Sequence, residues 1–435
     1  MRCVVMWFRR DMRLADHPAL SAAAATGLPV VPLFVVDPAF AAAGAPRHEY
    51  MQRALRSLDD SIGGALVYRN GDPVDVVPRF AAEVGADSVF VSRDYGPYGG
   101  RRDAECAARL RADGRGFAGH GSPYVIPPGS VTKDDGQPYA MFTPFLKRWR
   151  THAAAAPLDV PDVNWLGAPT VACDGIPVAV EPGCELPEIG EDAAGERWSA
   201  FRDGPLDVYE EGRDVPAIAG TSQLSADLRW GVVHPRQLLA DLSPCVSHDT
   251  FAAELAWRDF YADVLYRRPE SAWANLDRRM DPMLIDTDAG ARRRFTAGSA
   301  GRTGFPINDA GMRQLRATGW MHNRVRMITA SFLVKDLHLP WQWGARHFMN
   351  HLIDADLASN NHGWQWAAGT GTDAAPYFRI FNPTAQAKRF DPDGAYARRW
   401  IPESGTSAYP APMVDHAAER IEALRRYRLV AGSTR

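Results

Sequence analysis

Over the first 130 residues, short apolar runs alternate with amphipathic stretches. Residues 4–8, 30–36, 65–68 and 88–91 are dominated by Val, Phe and other large apolar side chains. Runs of this length and composition read as strands buried on both faces, and the stretches between them as the helices that cover the sheet. The pattern therefore predicts an α/β domain with a doubly wound parallel sheet over residues 1–130. Ligands in such sheets bind beyond the carboxyl ends of the strands, which directs attention to Arg9, Arg10, Asp11, Phe34, Asp37, Arg93 and Asp94. No GxGxxG follows the first apolar run, so a dinucleotide fingerprint is missing. From about Lys133 to Glu196 the chain is rich in Pro, Gly and Ala with little periodicity, and residues 131–195 read as an interdomain connector. Helical spacing dominates afterwards, predicting an all-α domain over 196–435. There Phe251, Glu254, Leu255, Arg258 and Ala262 share one face, with Trp257 beside them.

Composition narrows the picture without deciding it. A chain of 435 residues is long enough for two or more domains. The net charge of −3 gives no chain-wide nucleic-acid footprint, so any DNA contact must come from a local basic groove. Apart from Lys133, Lys147, Lys335 and Lys388 the basic residues are arginines, whose rigid forks suit phosphate. Five scattered cysteines fit neither a disulfide framework nor a metal cluster, and the apolar run at the amino terminus is too short for a signal peptide or a membrane span. A soluble cytoplasmic protein without a metal site is expected.

Three segments carry candidate chemistry. Tyr209 precedes a 213–220 loop that leads into Thr221-Ser222-Gln223-Leu224-Ser225. Successive hydroxyls at a helix entry, where backbone N–H groups are unpaired, form an anion site, although Thr221 or Ser222 serves equally as a plain N-cap. Glu254, Trp257 and Arg258 fall within about one helical turn. A carboxylate beside aromatic rings is partly desolvated and holds its proton more tightly, so it can donate to a developing anion; the alternative is a surface Glu–Arg pair at i, i+4. Trp320, Asn323 and Met327 recur at i, i+3 and i+7. A Trp and Met stripe is ordinarily core packing, but an amide buried within it needs partners. A buried Arg326 requires a carboxylate, for which Asp354 is the candidate, and His322 reads as structural.

The densest stretch runs from Trp320-Met-His-Asn-Arg-Val-Arg-Met327 through Asn360-Asn-His-Gly-Trp364-Gln-Trp366 to the 369–383 loop. With Trp7-Phe-Arg-Arg-Asp-Met-Arg-Leu14 and the 94–103 segment, it resembles the photolyase/cryptochrome family along essentially the whole chain, most closely the bacterial class I branch that repairs cyclobutane pyrimidine dimers. The resemblance implies a Rossmann-like antenna domain carrying a second chromophore, and a helical domain holding a U-shaped FAD that works as FADH⁻. On that reading Tyr209, Thr221, Ser222, Leu224 and Ser225 hold the phosphate and ribityl portions, and Arg258 also contacts the cofactor. Arg326 and Asp354 pair across the isoalloxazine, Asp356 binds the flavin or its ribityl chain, and Asn360 faces N5. Glu254, Asn323 and Met327 contact the dimer, Trp257 and Trp366 sandwich it, and Arg324 and Arg379 grip phosphates. The implied chemistry is extrusion of the dimer from UV-damaged DNA, electron donation from excited FADH⁻, ring splitting and return of the electron. Glu254 steadies the dimer radical anion.

The resemblance also marks departures. Of the family's three relay tryptophans, Trp364 nearest FAD and Trp341 next to it are kept. The outer one is missing from 281–290, and Ala297-Gly298 stands where another tryptophan is expected. Photoreduction is therefore expected to be slow or short-lived unless Trp343, Trp273 or a nearby Tyr substitutes, although repair does not need the relay once FAD is reduced. Gln223 stands where Arg is frequent and Phe251 where Trp is frequent. Tyr98-Gly99 replaces the pair that favours folate, and the 94–99 segment resembles the deazaflavin-binding branch. An 8-hydroxy-5-deazaflavin antenna is expected near Arg10, Phe34, Arg47 and Asp94, with methenyltetrahydrofolate or no antenna as alternatives. Neither an obligatory protein partner nor an oligomer is expected. The competing readings are a cryptochrome-like photoreceptor, a protein that only binds damaged DNA, and repair of (6-4) photoproducts. Asn360, the set Glu254, Asn323 and Met327, and the lack of a long tail oppose the first. The (6-4) branch places histidines where this chain has Asn323 and Met327.

Overall fold

Alternate residues of the first strand divide two cores. In Cys3–Phe8 (β1), Val4, Met6 and Phe8 enter one cluster while Cys3, Val5 and Trp7 enter another, as period-two geometry requires. The computed structural model describes residues 2–152, 154–168, 170–175, 179–373 and 379–432. β1, Val30–Val36 (β2), Val67–Asn70 (β3), Ala86–Ser92 (β4) and Gly116–His120 (β5) form one parallel sheet in the order β3-β2-β1-β4-β5. β5, whose sequence is Gly-Phe-Ala-Gly-His, escapes prediction because its glycines break any apolar run and it stays half-buried at the sheet edge.

The Cys3/Val5/Trp7 side is closed by helices Pro73–Glu83 and Pro97–Ala112 through Phe80, Cys106 and Leu110. The opposite side is shared with the helical half: Phe8, Phe34 and Tyr50 belong to the same cluster as Trp198, Phe201, Tyr209, Leu224, Trp230, Phe251 and Ile353. That shared core fixes the helical half against the carboxyl ends of the strands. The segment read as a connector is more structured than its composition suggests. It forms helix Phe142–Trp149, and its return run pairs with the sheet, Val30 N–H donating to Asn164 O and Leu166 N–H to Val30 O, each at 2.9 Å.

The helical half is built around Val246–Arg267, against which Leu357–Ala368 packs, with Asn323–Ser331 and Trp341–His351 alongside. A π-turn over Phe332–Asp336 follows the Asn323–Ser331 helix and carries buried Lys335. No helix among the described residues is long and apolar enough to cross a membrane.

Candidate functional site

His322 caps the Asn323–Ser331 helix, its Nδ1 accepting from Arg324 N–H at 3.2 Å. Arg326 on the next turn donates bidentately to Asp354, Nη2 to Oδ2 at 2.7 Å and Nη1 to Oδ1 at 3.2 Å, while its Nε donates to Met321 O. The carboxylate expected for Arg326 is thus the one found. Asp356, two residues on, caps the Leu357–Ala368 helix by accepting from Ser359 N–H at 3.0 Å. Burial pushes the Asp356 carboxyl up, but Arg10 at 3.9 Å, Arg229 at 3.8 Å, Arg258 and the Ser359 amide outweigh it and hold the group below the usual carboxylate range. Asn360, one turn into that helix, donates its Nδ2 to Ala345 O and Asn361 Oδ1, which leaves its oxygen as the atom for a ligand's N–H.

The 221–225 segment resolves the alternative left open by sequence. Leu224 is the N-cap of helix Ser225–Trp230 and no side chain caps it; Ser222 Oγ accepts only a long 3.5 Å bond from Leu224 N–H. Neither Thr221 nor Ser222 is an N-cap, so their hydroxyls stay available. Gln223 takes φ +53°, a turn conformation that presents neighbouring amides and hydroxyls together. Tyr209 is buried edge-on to Phe201 and Phe251, with Arg213 over its ring.

Glu254 pairs not with Arg258 but with Arg213, at 2.7 Å. Burial pushes the Glu254 carboxyl up and Arg213 opposes it. Arg258, expected on the cofactor, has both terminal nitrogens engaged elsewhere. They donate to Pro123 O at 2.6 Å and Leu228 O at 2.9 Å, so it ties the end of the α/β domain to the helical one. Asn323 is exposed as the first residue of its helix, not buried in an aromatic stripe, because the helix starts only there and Trp320 lies before it. Arg324, expected as a free phosphate contact, is held bidentately by Asp214 at 2.6 and 3.1 Å and lies over the Phe390 ring. Adjacent Arg213 and Asp214 thereby clasp Glu254 and Arg324, linking the Val246–Arg267 and Asn323–Ser331 helices, with Arg324 Nη1 3.8 Å from Met327 Sδ. Nothing in the local sequence pattern singles out these two residues.

Trp257 stacks on Phe142, ring centroids 3.7 Å apart and 11° from parallel, so the connector helix supports one face of the tryptophan. Trp366 lies half-buried near Phe381. Arg379 is exposed, its carbonyl accepting from Lys335 Nζ at 3.0 Å; residues 374–378 of the same loop lie outside the described residues. Trp364 is buried edge-on to Phe348 and leaves no space for a Cβ at Gly344, which must therefore be glycine. Trp341 is buried with its indole N–H on Asn275 Oδ1 at 2.8 Å.

At the strand ends, Arg9, Arg10, Asp11, Ser92, Arg93, Asp94 and Pro123 line a small cleft between β1 and β4, where the strand order reverses. Despite burial, Arg10, Arg102, Arg9 and the Gly96 amide bring the Asp94 carboxyl down to about 2. Asp94 also packs so tightly on Gly99 that any Cβ there would overlap its carboxylate. Phe34 lies apart from this cleft, in the sheet core against Tyr68. Arg47 packs over Phe40, and its buried Nε has no partner among the described residues.

Comparison with known proteins places this geometry. Residues 4–162 match a family model described as DNA photolyase, and residues 251–407 one described as the FAD binding domain of DNA photolyase. A deoxyribodipyrimidine photo-lyase of Agrobacterium fabrum is 36% identical, the alignment covering 99% of this chain and 98% of that protein. A class III photolyase of Agrobacterium tumefaciens superposes with a TM-score of 0.92 at 34% identity, over 99% of this chain and 98% of that one. An archaeal photolyase of Sulfolobus tokodaii, solved with two FAD molecules, superposes at 0.83 and 28% identity, over 99% and 100%.

Proposed function

The chain belongs to the DNA photolyase family, and on that premise we propose that it is a light-driven carbon–carbon lyase that repairs cyclobutane pyrimidine dimers in DNA. The observation that carries the reading is the Arg213–Asp214 clasp, which ties Glu254 to the helix of Asn323, Arg324 and Met327, the same helix whose Arg326 pairs with Asp354. The unspent hydroxyls of Thr221 and Ser222, the turn to Leu224 and Ser225, buried Tyr209 and the free oxygen of Asn360 are a donor and acceptor set that fits FAD. Held there in reduced form and excited by blue light, FAD would supply the electron that opens the cyclobutane ring and would take it back.

The protein's own side chains do the rest. Trp257, backed by Phe142, and Trp366 offer flat faces to the extruded pyrimidines. In its protonated form, which burial favours, Glu254 donates a hydrogen bond to the carbonyl on which negative charge develops, while its other oxygen accepts from Arg213, which fixes its orientation. Asn323 and Met327 complete the edge and apolar contacts, while Asn360 and the Arg326–Asp354 pair would hold the flavin. Arg379 meets a phosphate directly, whereas Arg324 does so while shared with Asp214. The reading assigns 1–130 to the antenna, 131–195 to the connector and 196–435 to catalysis, in a monomeric cytoplasmic protein acting on UV-damaged DNA.

The test is blue-light restoration of an oligonucleotide carrying one defined thymine dimer, by enzyme whose FAD has been chemically reduced beforehand. Repair is expected in light only, and Glu254→Gln, which weakens a hydrogen bond to a charged group, is expected to lower its rate roughly tenfold. A reduced, FAD-loaded enzyme that leaves the dimer intact under light would defeat the proposal.

For the antenna, 8-hydroxy-5-deazaflavin is the reading favoured by the seam beside Asp356. Arg10, Arg47 and Arg229 converge there, and buried Arg47 Nε and Arg229 Nη1 lack partners among the described residues, as suits an anionic ring oxygen. Extraction of the purified protein is expected to release a deazaflavin. Release of a folate, of a second FAD equivalent, or of nothing beyond one FAD would refute this assignment.

A further inference from the structure

Lys335 is 1% exposed in the π-turn over Phe332–Asp336, and the repair chemistry gives it no part. An amine buried to this degree is costly unless hydrogen bonds meet it. Its Nζ donates at 3.0 Å to the carbonyl of Arg379, 44 positions away, whose exposed side chain is the proposed phosphate contact. One turn earlier, the Oγ of buried Ser331 accepts from Phe381 N–H at 3.4 Å. A carbonyl and an amide two residues apart in the loop thus both turn to the same helical segment. Apolar packing holds the chain between and after them. Ile380 lies against Met280, Ala423 and Val430, and Phe381 against Ile307, Ile328 and Phe390 with Trp366 near its ring. The π-turn is anchored in its own right, because Asp336 bonds His416 Nδ1 at the start of the His416–Gly432 helix, which supplies Ala423 and Val430.

We propose that Lys335 and Ser331 are positioning residues for the DNA substrate, fixing the backbone of residues 379–381 so that the Arg379 guanidinium is held where a phosphate of the damaged strand arrives. The proposal rests on the reading of Arg379 as a phosphate contact. An arginine on an unrestrained loop loses backbone and side-chain freedom when it grips a phosphate, and that loss subtracts from affinity. A backbone bonded beforehand has already lost its share.

The chemistry of the donor suits the task. Burial pushes the Lys335 amine down to about 8 and Asp336 opposes it, so the group is still charged at neutral pH. A charged donor bonds a carbonyl more strongly than a hydroxyl or an amide does, and the four-carbon stem carries it out of the core to the loop. Asn323 and Arg324 stand at the other end of the same segment, so one rigid element sets the spacing between the proposed lesion contacts and the Arg379 loop.

The test uses the full-length, FAD-loaded protein and an oligonucleotide carrying one thymine dimer, its binding measured in the dark between about 50 and 200 mM salt. Lys335→Met keeps the apolar stem and loses the donor. It is expected to weaken binding roughly three- to tenfold and to make the slope of log K against log salt shallower by up to about 0.9, the share of one phosphate. Arg379→Ala is expected to do the same, and adding Lys335→Met to it is expected to cost nothing further, because both act through one contact. Ser331→Ala, a change that favours the helix, is expected to weaken binding less because its bond is longer. Amide hydrogen exchange across 379–381 is expected to quicken several-fold in both Lys335→Met and Ser331→Ala, with flavin absorbance per protein unchanged. The loss is expected in KM and not in kcat. Parental exchange at 379–381 in both variants, a parental salt slope in Lys335→Met, or losses that add in the double variant overturns the proposal. If Lys335→Met does not fold, parental exchange and affinity in Ser331→Ala overturn it. A parent that binds the dimer and leaves it unrepaired in light defeats the functional reading instead, and dark binding with exchange still decides the positioning role.

Discussion

Asp354→Ala protein is expected to purify with little or no FAD and to be less stable than the parent by about 3 kcal/mol, the lower end of the cost of breaking a buried ion pair. The Asp354 side chain is only 2% exposed and binds both terminal nitrogens of Arg326; among the described residues no other carboxylate pairs with that guanidinium. Removing it strands a cation that is itself about one-quarter exposed, which is why the lower end applies. The same change opens one side of the proposed isoalloxazine site. Asp354→Asn keeps the shape and one acceptor, so it is expected to lose less on both counts. Flavin absorbance per protein together with a denaturant titration checks both effects. Full flavin content with parental stability in the alanine variant would remove this pair from the cofactor site.

Acidification from pH 7.5 to 5.5 is expected to destabilise the protein by on the order of 3 kcal/mol, since each group with different folded and unfolded pKa values contributes up to about 1.4 kcal/mol per pH unit. Burial pushes His234, His322 and His362 down to about 4 and His347 to about 3. The unfolded chain protonates these histidines as the pH falls through their ordinary value of about 6.5, while the folded protein does not. Stability fully present above that value is therefore lost on acidification, down to the folded pKa values. Asp259 and Asp336 work in the opposite direction: burial raises each to about 6, so the folded state takes up protons that the unfolded state does not, and lowering the pH relieves their strain. Four histidines outweigh two carboxyls over this window. Thermal melts of FAD-loaded protein at the two pH values check the sign, and a melting temperature equal or higher at pH 5.5 would show that the buried histidines do not control it.

Much of the molecule could be read before any tertiary contact was known. Continuous runs such as residues 30–36 mark central strands because both faces of a covered parallel sheet are buried, and the charged residues just beyond them, Arg10 and Asp94, do line the cleft at the strand-order reversal. The Gly-rich β5 and the Phe142–Trp149 helix were hidden for the converse reason. One lacks large side chains, and the other is too short to stand out among Pro, Gly and Ala. The Arg326–Asp354 pair was legible because a cation flanked by apolar residues on its own helix demands a carboxylate, and few were near.

The sequence by itself determined the fold class, through composition and local periodicity that state which faces are apolar, and pointed to the family and the residue types of the pocket through the resemblance of its motifs. Only the tertiary structure decided the partners. Glu254 has a local candidate in Arg258 yet pairs with Arg213, and Arg324 is clasped by Asp214 110 positions away. Asn323 proved exposed because its helix begins at that residue. Periodicity reports the environment a side chain needs, whereas the atom that supplies it comes from whichever distant segment the packing brings within about 3 Å.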